Sequence, residues 1–89
     1  MIVGTNEHFA HEGTDFHIQV EDLDGSWELE VRVYVGGTIV FNKRQSYLKV
    51  VEGVTAPGKA EELIADEMRK LVVLVKAAIQ KGRITPPGP

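Results

Sequence analysis

Between Trp27 and Val35 the chain alternates without a break. Trp27, Leu29, Val31, Val33 and Val35 are apolar, and Glu28, Glu30, Arg32 and Tyr34 fall between them. A strand sends successive side chains to opposite faces, so this segment predicts a strand with one dry face and one wet face. Phe16-His17-Ile18-Gln19-Val20-Glu21 repeats the pattern, with Phe16, Ile18 and Val20 inward. Strands that are dry on one side only belong to antiparallel sheets, because parallel strands are buried on both faces.

Turn residues punctuate these strands and set their registers. Gly36-Gly37 closes the Trp27–Val35 strand. A two-residue loop pairs Val33 with Val40 and throws Ile39 and Phe41 onto the wet face. A three-residue loop of Val35-Gly36-Gly37 pairs Val33 with Ile39, Val31 with Phe41 and Glu28 with Arg44. Since a slip of one residue turns a whole strand over, the sequence favours the three-residue loop, with Tyr34 and Val40 outside. A Glu12-Gly13 turn places Phe9 opposite Phe16 and His8 opposite His17. Asp24-Gly25-Ser26 separates the two alternating strands, and Ser46 to Val51 is a candidate further strand.

Thr55-Ala56-Pro57-Gly58 breaks the chain before a long helix, with Thr55 as its expected cap and Pro57 inside the first turn. Acidic residues (Glu61, Glu62, Asp66, Glu67) crowd its first half and basic ones (Arg69, Lys70, Lys76, Lys81) its second, which suits the helix dipole. Leu63, Ile64, Met68, Leu71, Val75, Ala78 and Ile79 form one stripe, and Gly82 ends it. The expected architecture is α+β: an antiparallel β-meander of three to five strands packed against one long C-terminal helix. Residues 1–85 form a single domain in this reading, and 86–89 form a Pro-rich extended tail.

The helix carries more apolar surface than one sheet requires. Val72, Val73 and Ala77 lie off the Leu71/Val75/Ala78 stripe. A chain of 89 residues has a thin core and gains from a second buried surface. A two-fold homodimer is therefore expected, with Val72, Val73 and Ala77 as its self-association residues.

Composition narrows the function classes. The formal charge of -3 offers no basic excess for phosphates, so nucleic acid is not an expected partner. The absence of cysteine excludes disulfides, thiolate metal sites and a cysteine nucleophile. Leu71 to Val75, the longest apolar run, is far below the roughly 20 residues that span a bilayer. The opening residues show no basic segment followed by an apolar run, and a cytoplasmic location is the expectation.

The residue types that commonly carry chemistry do not form a recognised motif. His8, His11 and His17 lie near Glu7, Glu12 and Asp15, but their spacing matches no zinc signature. Glu21-Asp22-Leu23-Asp24-Gly25-Ser26 resembles the opening of a calcium loop, yet strands flank it and the ligand spacing is incomplete. Ser26 and Ser46 stand in no nucleophile context, and Gly36-Gly37 leads into a strand rather than a helix, unlike a phosphate loop. No cofactor, metal site or catalytic residue is expected, and an enzyme is not.

Phe16-His17-Ile18-Gln19-Val20-Glu21-Asp22, followed by Gly36-Gly37-Thr38-Ile39-Val40 and by Lys43-Arg44 with Tyr47 beyond, resembles a family of short bacterial modules. Those modules have a His-Val-Gln-Thr-Glu-Asp-like first strand and a Gly-Gly-Thr-Ile hairpin. They occur alone or attached to signalling and scaffold domains. The resemblance covers about half the chain and departs at Val20, where the family tends to have Thr. It implies the fold and a regulatory setting, and it transfers no active site.

The function expected from these features is that of a small non-catalytic regulatory or adaptor protein in bacterial signalling, acting through protein–protein interaction. Arg32, Tyr34 and Val40 on the outer sheet face are the candidate partner contacts, since interface centres favour an aromatic beside an arginine. The rival reading is a small-ligand or nucleotide-sensing domain using His8, His17 and Lys43-Arg44. A metal-dependent enzyme using His8, His11 and His17 stands third.

Overall fold

The computed structural model describes residues 4–88. Residues 1–3 of the expected domain and Pro89 of the expected tail lie outside the described residues. Four strands, β1 (Gly4–His11), β2 (Thr14–Leu23), β3 (Glu28–Val35) and β4 (Thr38–Ser46), form one antiparallel sheet in chain order. A short helix α1 (Leu48–Val51) follows, and then the long helix α2 (Lys59–Gln80). This is the meander-plus-helix architecture expected from the alternation and the helical stripe.

The Glu12-Gly13 turn forms with both residues at positive φ, 49° and 80°, the twist that a two-residue hairpin requires. It sets Phe9 opposite Phe16 and His8 opposite His17, as the sequence predicts. Between β2 and β3 the turn is longer than expected and takes in Trp27, which has a φ of 59° and is 52% exposed. Trp27 is thus not an inward strand residue, and its ring meets Tyr47 edge-on at 6.2 Å.

The β3–β4 register corrects the expectation. The loop is the two-residue Gly36-Gly37 turn, with φ of 55° and 82°, and Val35 pairs with Thr38 and Tyr34 with Ile39. A β-bulge then inserts Val40, so that Phe41 faces Val33 and Glu30 faces Arg44. The extra residue returns Phe41 to the core side while Ile39 stays outside and exposed. Val40, expected on the outer face, instead packs against the core.

Phe16, Ile18 and Val20 of β2 and Leu29, Val31 and Val33 of β3 are almost fully buried, facing Met68, Leu71, Val72, Val75 and Ile79 of α2. Burying each such side chain is worth about 1.5–3 kcal/mol. Val72, expected at a self-association surface, is therefore a core residue at 7% exposure. Val73 is 64% exposed and Ala77 partly so, and Leu74, which belongs to no sequence-derived site, is also 64% exposed.

Ser46 to Val51 does not extend the sheet. β4 ends at Ser46, whose hydroxyl accepts from the Leu48 amide, and α1 follows. Thr55 does not cap α2 and Pro57 lies outside it, since Gly58 at φ 75° is the N-cap. The C-terminus ends as expected at Gly82 (φ 74°), where the Arg83 amide reaches back to the Ala78 carbonyl. That reversal delivers Ile84 into the core.

Candidate functional site

Pairing across four strands assembles the outer sheet face, away from α2, in rows. His8, His17, Tyr34 and Ile39 form one row, and Asn6, Gln19, Arg32 and Asn42 form the next. The row after that holds Gly4, Glu21, Glu30 and Arg44. Among the described residues no helix covers this face.

The imidazoles of His8 and His17 stack with centroids 4.6 Å apart and planes 5° apart. Tyr34 continues the aromatic row, 5.9 Å from His17 and tilted by 40°. Diagonal neighbours hold both histidines, with His8 Nδ1 3.0 Å from an Asp15 carboxylate oxygen and His17 Nε2 3.2 Å from the Asn6 side-chain oxygen. A shallow cleft of about 340 Å³ lies over this group, lined by His8, Asp15, His17, Gln19 and Tyr34 with the Gly36-Gly37 turn.

Glu30, a wet-face residue by alternation, is only 5% exposed. Arg32 donates to one of its oxygens at 2.6 Å and Arg44 to the other at 3.5 Å. Burial pushes the Glu30 carboxyl up, but the Arg32 hydrogen bond and the charges of Arg32 and Arg44 outweigh it and hold the pKa below its usual value. The Arg32 guanidinium is in turn raised, first by Tyr34 and then by Glu30. Arg32 is thus a fixed, oriented cation beside Tyr34.

Of the expected partner contacts, Arg32 and Tyr34 share the outer face and Val40 does not. Ile39 takes its place, beside Tyr34. Sequence reasoning missed Ile39 by rejecting the two-residue loop, which does place it outside.

The three histidines do not converge. His11 falls on the opposite face of β1, its ring 6.3 Å from Phe9 and its Nε2 3.8 Å from Glu12. Among the described residues no group of three or more His, Cys, Asp or Glu side chains is arranged to hold a metal ion. Asp22, within the calcium-like run, accepts the Tyr47 hydroxyl at 2.8 Å. The nucleotide-sensing set is also dispersed: Lys43 pairs with Val31 on the α2 side, and Arg44 is engaged by Glu30 two rows from the histidine pair.

No helix among the described residues is long and apolar enough to cross a membrane. Compared with protein-family models, with curated proteins and with solved structures, the chain gives no match.

Proposed function

We propose that this protein is a small non-catalytic adaptor that holds another protein against the outer face of its sheet. The observation that carries this reading is the uncovered row His17–Tyr34–Ile39, flanked by Arg32. An aromatic ring, an oriented guanidinium and an exposed aliphatic side chain on rigid strands match the composition of interface centres. The strands lose little further entropy on binding, which favours affinity. The resemblance of the first half of the chain to short bacterial modules found beside signalling and scaffold domains supports a regulatory setting.

A photo-reactive residue at Gln19, which neighbours both rows, tests this in the native host. A single partner protein should crosslink, and Tyr34→Ala or Ile39→Asp should abolish its capture while the circular dichroism spectrum is unchanged. Capture that survives both substitutions would sink the outer-face reading.

A further inference from the structure

We propose that the free edge of β1 is a self-association edge. Two copies of the chain join β1 to β1 antiparallel about a two-fold axis, merging two four-stranded sheets into one of eight strands and laying their α2 helices side by side.

The two sheet edges are built differently. β4 carries the Val40 bulge and the consecutive cations Lys43 and Arg44. Bulges and edge charges both discourage strand addition. β1 has no bulge, its one carboxylate, Glu7, is paired with Lys76 of α2, and it pairs with β2 in unbroken register from Gly4 to His11. His11 and Thr14 close a two-residue hairpin and so form a hydrogen-bonded pair, which directs the amides of Thr5, Glu7, Phe9 and His11 toward β2. The backbone groups of Asn6, His8 and Ala10 therefore point outward along an edge that no described strand occupies. Facing His8 with His8 of the second copy pairs Asn6 with Ala10. That register keeps both core faces on the same side and separates the two Glu7 carboxylates.

The helix fits the same axis. α2 lies over β1 and β2. With strands about 4.8 Å apart, a helix centred between them stands roughly 5 Å from the axis, so the two copies of α2 run about 10 Å apart, within the range of packed helices. Lys76, paired with Glu7 and 5.6 Å above the Phe9 ring, marks the side of α2 that faces the β1 edge. Glu62, Asp66, Arg69, Val73, Lys76 and Gln80 follow at alternating spacings of four and three, which is one stripe on that side. Exposed Val73 sits at its middle. Around a two-fold axis near Val73, the two Val73 side chains meet and the helix dipoles oppose, while Arg69 approaches Lys76 of the second copy with each cation held by its own carboxylate, Asp66 and Glu7. Leu74, equally exposed, is turned about 100° from Val73 around the helix and borders a groove with Phe41 of β4. This assembly leaves the outer sheet face free and stands independently of the proposed adaptor role.

Sedimentation equilibrium of the purified chain across a dilution series, with amide hydrogen exchange at its upper end, tests the proposal. The parent should dimerise, and the Asn6, His8 and Ala10 amides should be protected at high concentration and exchange at least tenfold faster on dilution. Ala10→Pro, which removes an outward amide, and Val73→Glu should each weaken association at least tenfold, whereas Leu74→Glu should leave it unchanged. A parent that stays monomeric, outward β1 amides that exchange freely in the dimer, or a dimer broken by Leu74→Glu would overturn the proposal. The exchange measurement uses the parent chain, so it decides between these outcomes even where a variant fails to fold.

Discussion

Tyr47 shows how one side chain ties the strands to the connection that follows. Its hydroxyl donates to Asp22 at 2.8 Å while its ring is buried against the core, and its amide reaches back to the Trp27 carbonyl. Burial, with the Asp22 hydrogen bond and carboxylate charge, pushes the phenol up from 10.0 to about 12. A raised pKa means that the folded chain holds its proton more tightly than the unfolded one. This contribution is therefore fully present below pH 10 and is lost as pH rises toward about 12. Tyr47→Phe should cost about 1 kcal/mol at neutral pH, the ordinary worth of a hydrogen bond. The gap between parent and variant should shrink as denaturant titrations are carried from neutral pH through the alkaline range. A gap that is constant with pH would mean that the buried phenol does not resist ionisation. Glu30 works in the opposite sense. Its lowered pKa contributes stability above the ordinary glutamate range that is lost as pH falls through the folded value.

At the scale of elements, the bulge in β4 is the feature on which face assignment turns. Pairing is Ile39 with Tyr34 before it and Phe41 with Val33 after it. Deleting Val40 therefore leaves every flanking pair on its present face, unlike most single-residue deletions in a strand. The deletion variant should fold with Arg32 still opposite Asn42, at a cost of about 1–2 kcal/mol for one partly buried valine. Cross-strand proton contacts in its NMR spectrum check this, and loss of the Arg32–Asn42 contact would mean that the bulge sets the register. The sequence made the β1–β2 hairpin legible because Glu12-Gly13 permits only one register that buries Phe9 and Phe16 together. It did not make β4 legible, because Gly36-Gly37 accommodates several loop lengths and a bulge has no residue signature of its own. The same ambiguity explains the candidate site. Alternation alone placed Arg32 and Tyr34, whereas Ile39 and Val40 exchanged roles with the register. Trp27 departed from its alternating strand because the turn before β3 absorbed it at positive φ. Thr55 offered a cap by residue type, but the Pro57-Gly58 turn delays the helix to Lys59.

The molecule as a whole is long and thin, with extents of 49 × 20 × 19 Å. Its radius of gyration of 14.2 Å exceeds the roughly 12 Å of an average compact chain of this length. One helix of about 33 Å over one sheet makes only a single interlayer core, so each core residue carries a large share of a total stability of about 5–15 kcal/mol. Ile84 lies outside every helix and strand, yet it is 4% exposed and closes the end of that core beyond the Gly82 reversal. Ile84→Ala should therefore behave as a core truncation, costing about 2–4 kcal/mol and lowering Tm by roughly 10 °C or more. Leu74→Ala is the matched control: an exposed helix residue whose loss should stay within about 0.5 kcal/mol. Urea titration of the two variants beside the parent measures both costs. If Ile84→Ala proves as mild as Leu74→Ala, the segment after α2 adds nothing to the core. If it is severe, the structural unit extends past the helix to Ile84, and chains truncated after Gly82 should melt well below the parent chain.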